Sequence, residues 1–250
     1  TTVLLASPLL QFAVQTDEVL NTQPFRKLEN TAFTYGEKLN FRVHYGVINA
    51  ANIEIKVEDH PVMIDGRPTF HIKGTGKSIS AFDWFFKVRD HFQSWVDVDA
   101  LAPLRYHKDQ REGGYKSSEY VFFNHQTKRL SNNKGVKDMP QGIQDVISAT
   151  YYARNLDFSN AQVGQIYPIE VYLDNEIYKL QFKFAGRENL KTELGNIRTL
   201  KIIPMVVADR VFKDEEGMTI WVSDDKNKVP LLIQAEILVG SIKASITQVN

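Results

Sequence analysis

Residues 39–45 read LNFRVHY, and apolar and polar side chains alternate along the whole segment. The same period of two returns in residues 53–58, IEIKVE, and again in residues 115–123 and 166–173. Side chains of a β-strand point alternately to its two faces, so this period predicts strands with one buried and one solvated face. Such segments predict about a dozen strands at spacings of roughly 8–12 residues, which is typical of an antiparallel sandwich or barrel.

One segment departs from this period. In residues 143–155 the apolar side chains recur at helical spacing, and they occupy most of the circumference of the predicted helix. We therefore predict a mainly β protein, an antiparallel curved sheet or incomplete β-barrel with this one helix as its central cover. Residues 85–98 are interpreted as one long strand, and the polar residues 124–142 as a break in the strand pattern.

The chain is predicted to contain a single β-rich domain over residues 33–250, because no stretch within it has the composition of a flexible linker. Residues 1–15 are a short apolar run, which we interpret as a truncated signal segment, and residues 16–32 as an N-terminal extension. The alternative for residues 1–15 is a strand or helix packed on the domain. No apolar run reaches the roughly 20 residues that span a bilayer. The expectation is therefore an exported, periplasmic protein of the bacterial envelope with no transmembrane segment.

Composition argues against several classes of function. The 30 Lys and Arg residues balance 30 Asp and Glu residues, whereas a nucleic-acid-binding protein normally carries a basic excess. The chain has no cysteine, which excludes a disulfide or a thiolate site. His91 and His107 could meet Asp97 and Asp109 on one face of the sheet, but this spacing fits no metal-ligand template. We expect no metal ion, no other cofactor and no nucleic-acid partner.

Two further motifs are interpreted as structural. Residues 74–78, GTGKS, end like a phosphate-binding loop, but His71 stands where that loop needs its first glycine. We interpret the segment as the end of a strand. The acidic runs 214–217 and 224–227 are surrounded by turn-forming residues, and we interpret both as hairpin tips.

Aromatic residues are abundant, and they are concentrated in residues 81–86, AFDWFF. Large rings either complete a core or line an apolar ligand cavity, and the sequence leaves both alternatives open. Under the second alternative the candidate ligand-binding residues are Trp84, Phe86, Trp95, Tyr151, Tyr152 and Trp221.

The predicted helix also carries polar residues. Helical spacing places Asp145 and Ser148 on one side, with Arg154 nearby, so that they could form a polar site in a cavity. In the alternative interpretation they satisfy backbone or strand groups, as buried polar side chains generally do. No catalytic base is identifiable beside Ser148. A third possibility is a surface interaction module that uses an exposed β edge.

Several segments together resemble one family, and it is their order that carries the resemblance. The segments are YGEKL at 35–39, Val43-x-Tyr45-Gly46, Trp95-x-Asp97 with Leu101 and Pro103, DVISA at 145–149 with Tyr152 and Arg154, Gly195, and IWVSDD at 220–225 with Pro230 and Leu231. This order is similar to that of the exported bacterial family catalogued as domain of unknown function 3108. The resemblance implies an envelope location and a mostly β fold, and it supplies no catalytic residues.

The functional hypothesis combines these points. We expect a non-catalytic periplasmic or cell-envelope protein that binds a hydrophobic, lipid-like ligand or an envelope partner. By a looser, fold-level analogy, the fold is similar to the open half-barrels of periplasmic lipoprotein carriers, which hold acyl chains around a helix. The alternative is an envelope hydrolase with a polar site around Asp145 and Ser148.

Overall fold

The computed structural model describes residues 25–205, 217–237 and 240–250 of the chain. The predicted signal segment, residues 1–15, and most of the acidic run at 214–217 lie outside the described residues. Residues 25–32 of the predicted N-terminal extension are described, and they lie against the domain. In this extension the Arg26 guanidinium donates to the carbonyl oxygens of Ala100 and Leu101, at 2.8 and 3.0 Å.

The described residues form one antiparallel sheet and two short helices, as predicted for a mainly β fold. The first strands and the first helix are β1 (Lys38–Tyr45), β2 (Ile48–Val57), β3 (Val62–Ile64), β4 (Arg67–Ser78), α1 (Ser80–Asp83), β5 (Arg89–Asp97), β6 (Pro103–Glu112), β7 (Tyr115–Asn124), β8 (Arg129–Asn132) and β9 (Gly135–Asp138). The remaining elements are α2 (Val146–Ala153), β10 (Ile166–Leu173), β11 (Glu176–Thr192), β12 (Gly195–Met205), β13 (Met218–Ser223), β14 (Pro230–Glu236) and β15 (Ser241–Val249).

The strand order is β10-β11-β12-β13-β14-β15-β1-β2-β4-β5-β6-β7-β8-β9, and β3 pairs with β4 beside this path. Nearly all neighbours in the sheet are also neighbours in sequence. The pairing of β1 with β15 joins the two ends of the domain, in a register that runs from Leu39 opposite Val249 to Tyr45 opposite Ile242. We call the end of the sheet at which β1 ends and β2 begins the upper end.

The sheet curls until its two outer strands come close together. Tyr172 on β10 donates a hydrogen bond to Glu119 on β7 at 2.5 Å, and its hydroxyl oxygen accepts one from Asn132 on β8 at 2.8 Å. Lys137 Nζ on β9 donates to the carbonyl oxygen of Asn175, at 2.6 Å. Side chains therefore close the gap that backbone pairing leaves open, and the result is the incomplete barrel that the sequence predicts.

The hairpin of β10 and β11 shows why the sequence specified this region well. The turn residues Asp174 and Asn175 have φ of 50° and 68°, the left-handed values of a tight hairpin turn that favours Asn and Asp. Ladder pairs then run from Leu173 opposite Glu176 to Ile166 opposite Lys183. The predicted strand at residues 166–173 is confirmed with the same boundaries.

Two segments differ from the prediction. The strand predicted over residues 85–98 begins only at Arg89, because residues 80–83 form the helical turn α1 and Trp84 to Phe86 lie in the connection that follows. The predicted break at residues 124–142 contains β8 and β9. These two strands form an outer hairpin with few buried side chains, so their sequences carry little of the apolar alternation that predicts a strand.

Helix α2 lies inside the curled sheet and is shorter than the predicted 143–155, since residues 143–145 precede it and residues 154–155 follow it. Asp145 is its N-cap: the carboxylate accepts hydrogen bonds from the backbone N–H groups of Ile147 and Ser148, both at 2.8 Å. The Ser148 hydroxyl oxygen in turn accepts from the Asp145 N–H, which completes a capping box. Ser94 of β5 donates to the other carboxylate oxygen of Asp145 at 2.6 Å and so fixes the start of the helix against the sheet.

Candidate functional site

An apolar cavity of about 430 Å³ lies between α2 and the strands β10–β14, next to the place where Ala149 packs with Ile169 and Val171 of β10. The sheet wall consists of residues on alternate positions of neighbouring strands. Phe182, Ile202 and Ile220 belong to this wall, and in the ladder Ile202 lies directly opposite Ile220. Because alternate side chains of a strand point to the same face, β11, β12 and β13 together present a continuous apolar surface to the inside.

Small side chains on the facing side of α2 explain why this space is not filled. Ala149, Thr150 and Ala153 line the cavity, and Ala153 is four residues from Ala149 and three from Thr150, so that all three lie toward one side of the helix. The side of α2 toward β2, β4 and β5 carries the larger Ile147 and Tyr151, which pack into a core with Ile72. The helix therefore fills one half of the curled sheet and leaves the other half open.

Charged groups lie at the lower end of the cavity, beside the turn between β13 and β14. Arg154 and Lys228 are both part of the lining there. Burial lowers the pKa of Lys228, and the negative charges of Asp157 and Asp225 oppose this effect. The lower end of the apolar space is thus the place where a charged group of a ligand would find a partner.

The aromatic residues proposed from the sequence lie outside this cavity. Trp84 and Phe86 are in the connection between α1 and β5, where they are exposed. Trp95 follows Ser94, which points inward to α2, so Trp95 faces outward and stacks on His71 with ring centres 4.4 Å apart. Trp221 is next to Val222, which lines the cavity, so the side chain of Trp221 lies on the outer face of β13.

The other two proposed aromatic residues belong to α2. Tyr151 is buried and meets Phe33 edge to face, with ring centres 4.6 Å apart. Tyr152 is partly buried and lies under the Arg26 guanidinium, 4.8 Å from the ring centre. The cavity lining thus comes mainly from aliphatic residues with an ordinary strand pattern, and in the sequence only their period of two pointed to a buried face.

The polar residues of the alternative hypothesis have structural partners. Asp145 and Ser148 form the capping box of α2, and both are fully buried. Among the described residues, the hydrogen bonds of the Ser148 hydroxyl go to the backbone of Asp145. Arg154 binds the Glu37 carboxylate through two hydrogen bonds of 2.6 and 2.7 Å and also donates to the carbonyl oxygens of Ala32 and Asn227. The structure separates Arg154 from the capping box by the length of the helix.

The histidine and carboxylate residues considered for a metal site do not converge. His91 is paired across the strands with Asp109, whereas Asp97 lies at the far end of β5 and binds Arg67. His107 stacks on Tyr120, with ring centres 3.8 Å apart. Within the described ranges, no group of three His, Asp or Glu side chains could hold a metal ion.

The remaining sequence motifs have structural roles. Residues 74–78 are the end of strand β4, and a Cβ atom at Gly74 would lie 3.2 Å from Cδ1 of Ile147. The glycine therefore permits the close approach of α2 to the sheet. Residues 224–227 form the predicted hairpin tip, in which an Asp225 carboxylate oxygen accepts hydrogen bonds from the backbone of Asn227 and Lys228.

The fold defines a class: an open, β-barrel-like antiparallel sheet curled around one helix. The sequence profile of the family described as "Protein of unknown function (DUF3108)" matches residues 40–247, and the chain belongs to this family. No curated protein matches it. Within the part that the structure describes, no helix is both long and apolar enough to cross a membrane.

Three solved structures are similar to this chain at very low sequence identity. A β-barrel-like protein of domain of unknown function 1849 from Brucella abortus superposes with a TM-score of 0.54 at 6% identity, over 86% of this chain and 97% of that one. A candidate exported protein with a YmcC-like fold from Bacteroides fragilis has a TM-score of 0.41 at 8% identity, over 88% and 97%. A candidate lipoprotein from Parabacteroides distasonis gives 0.37 at 10% identity, over 91% and 100%. The first of these likenesses supports the β-barrel-like fold.

Proposed function

We propose that this chain is a non-catalytic protein of the bacterial envelope that binds a hydrophobic, lipid-like ligand in the cavity between α2 and β10–β14. The single observation that carries the proposal is the cavity itself. Its volume of about 430 Å³ lies within the range of roughly 300–1,000 Å³ that is usual for small-molecule sites.

The character of the lining favours an apolar occupant. Phe158, Leu180, Met218 and Ile233 continue the apolar wall beyond its centre. Water in such a space finds few hydrogen-bond partners, and side chains that face an empty space lose dispersion contacts. An acyl chain or a similar flexible hydrocarbon would restore these contacts without needing polar partners along its length.

Lys228 suggests the chemistry at one end of the ligand. Its ammonium group is partly buried at the lower end of the cavity, and burial lowers its pKa. An acidic head group placed there would stabilise the charged form of Lys228. We therefore expect ligands with a carboxylate or phosphate next to an apolar chain to bind better than neutral analogues of the same chain length.

An exported location is part of the same proposal. The apolar run of residues 1–15 supports it, as does the resemblance of the chain to an exported family. An envelope protein could be a partner at a later step, when the ligand is delivered. The capping role of Asp145 and the burial of Ser148 give a hydrolytic function no support.

Native mass spectrometry tests the proposal most directly. The protein would be purified gently from the periplasm, and any bound molecule would be identified after organic extraction. We expect a discrete adduct with the mass of a lipid. A protein that carries no adduct, and that also fails to take up a fluorescent fatty acid after delipidation, would contradict the proposal.

A pair of variants locates the binding site. Ala153→Phe places a ring in the cavity from α2, whereas Asn160→Phe adds the same ring to an exposed position outside it. We expect Ala153→Phe to weaken fatty-acid binding by about tenfold or more, because the ring occupies the volume of several methylene groups. Asn160→Phe should bind as the wild type does. Equal effects of both substitutions would show that the ligand binds elsewhere.

A further inference from the structure

Three consecutive aromatic side chains project from the upper end of the sheet. Trp84, Phe85 and Phe86 are 85%, 66% and 43% exposed, although large aromatic side chains are usually buried. They lie in the connection between β4 and β5, outside the apolar cavity. Neither the family nor the proposed function accounts for this exposure.

Hydrogen bonds and an ion pair fix the conformation of the connection that carries them. Arg89 Nη2 and a carboxylate oxygen of Asp83 are 2.5 Å apart, and the Ser78 hydroxyl donates to the same carboxylate. The backbone N–H groups of Phe85 and Phe86 both donate to the carbonyl oxygen of Phe82, at 3.0 Å. The aromatic side chains are therefore held in an exposed position by the surrounding structure.

The neighbouring turns extend the apolar surface. At the turn between β1 and β2, Val47 is 98% and Ile48 is 55% exposed, and this turn is next to the α1 connection because Ala50 accepts a hydrogen bond from the N–H of Ile79. On the other side, Gly113 donates its N–H to the carbonyl oxygen of Lys87. We call residues 47–48, 84–86 and the exposed Tyr115 the upper apolar patch.

Basic residues surround this patch. Lys77, Lys87 and Lys116 are exposed at the ends of the strands that carry it. Of the nearby carboxylates, Asp83 is paired with Arg89, and burial together with a hydrogen bond to Asp90 raises the pKa of Glu112. A surface that combines exposed aromatic and aliphatic side chains with an excess of positive charge matches the interface of an anionic bilayer, where aromatic rings lie among the head groups.

We propose that the upper apolar patch binds the surface of an anionic phospholipid membrane, with Trp84 and Phe85 inserted at the level of the head groups. A second copy of the chain is the competing occupant, but the lysine residues would then face one another across the contact and repel. The proposal does not depend on the cavity, because it concerns the outer surface alone.

Vesicle flotation measures this binding. We expect the delipidated protein to float with vesicles of phosphatidylcholine mixed with phosphatidylglycerol, and to float less with phosphatidylcholine alone. Trp84→Ala combined with Phe85→Ala should weaken binding by about tenfold or more, since each substitution removes a large apolar side chain from the interface. Tyr120→Ala combined with Phe122→Ala removes two exposed aromatic side chains from β7 and is the matched control.

Tryptophan fluorescence gives an independent readout. Trp84 is the exposed member of three tryptophans, since Trp95 is partly buried and Trp221 is buried. We expect a blue shift of the emission when vesicles are added. Trp84→Phe should abolish this shift and still float with the vesicles, because a large apolar ring remains at the position.

The charge contribution is tested separately. Lys87→Gln and Lys116→Gln should each weaken binding to the anionic vesicles by about fivefold and leave binding to neutral vesicles unchanged. The proposal is overturned if the wild type floats with neither kind of vesicle, or if the control pair loses binding as strongly as the Trp84 and Phe85 pair. A dimer without vesicles that the Trp84 and Phe85 substitutions dissociate would also overturn it and assign the patch to self-association.

Discussion

Arg154 and Glu37 form a buried, two-pronged ion pair between the end of α2 and the residue before β1. The distances between nitrogen and oxygen atoms are 2.6 and 2.7 Å, and the side chains are only 2% and 10% exposed. The same guanidinium lies 5.1 Å from the ring centre of Tyr151. This pair connects the helix that bounds the cavity to the strand at which the two ends of the domain meet.

Arg154→Met should destabilise the protein strongly. The substitution leaves the Glu37 carboxylate buried without its partner, which typically costs about 3–5 kcal/mol in the free energy of unfolding. Urea denaturation measures this loss. The control is Arg42→Met, which breaks the exposed pair of Arg42 with Glu193 and should cost less than about 1 kcal/mol. Equal losses in the two variants would mean that burial of the Arg154 pair contributes nothing.

Asp145 should make the protein less stable as the pH rises through weakly acidic values. Burial raises its pKa from 3.8 to about 6, although hydrogen bonds from Ser94, Ser148 and Ile147 favour the charged form. Because the folded pKa exceeds the unfolded one, the stabilisation is complete below pH 3.8 and is lost as the pH rises through about 6. A shift of this size corresponds to about 2–4 kcal/mol between these limits.

Asp145→Asn isolates this contribution. Its amide oxygen can still accept from the N–H groups of Ile147 and Ser148, and its amide nitrogen can donate to Ser94. We expect the variant to fold, to retain ligand binding and to lack this part of the pH dependence when urea midpoints are compared with those of the wild type. A pH profile identical to that of the wild type would show that Asp145 does not titrate in this range.

His125 should make the protein less stable as the pH falls, whereas Asp145 makes it less stable as the pH rises. Its Nε2–H donates to the carbonyl oxygen of Pro103 at 2.7 Å, and Nδ1 accepts from the Gly142 N–H at 3.2 Å, which requires the neutral ring. Burial lowers the pKa of His125 below 6.5, and the charge of Arg26 adds to this effect. Stability is therefore present above pH 6.5 and is lost as the pH falls through the folded pKa. NMR titration of the ring protons should give a pKa below 6.5, and a higher value would contradict the assignment.

The sequence predicted the parts of the fold that local patterns determine. Alternating segments such as the one ending at Tyr45 became strands, and Asp174 and Asn175 formed the expected hairpin turn. The capping box of Asp145 and Ser148 was visible as a polar pair, but sequence spacing alone could not separate a helix cap from a polar site.

The parts that the sequence did not predict depend on contacts between distant elements. The cavity brings Ala153 of the helix opposite Ile220, which is far away in the chain, and its existence depends on how the sheet curves around α2. The run at 81–86 has the composition of a buried strand, but hydrogen bonds to Phe82 turn it into a short helix and an exposed connection. Aromatic composition alone does not distinguish these outcomes.

Gly74 lies in the segment 74–78, which resembles a phosphate-binding loop in sequence and is the end of strand β4. It allows a test of how closely α2 packs on this strand. Its Cβ position lies 3.2 Å from Ile147, whereas that of Gly76 lies 3.8 Å from the Asp90 Cβ atom, an ordinary contact. Gly74→Val should therefore cost about 1–3 kcal/mol in the free energy of unfolding, and Gly76→Val clearly less. Ile147→Ala should cost less in the Gly74→Val background than in the wild type, because there it also removes the atoms that clash. Urea denaturation of the wild type, Gly74→Val, Ile147→Ala and the double variant measures this coupling. Additive effects of the two substitutions would show that close packing of α2 on β4 is not what requires this glycine.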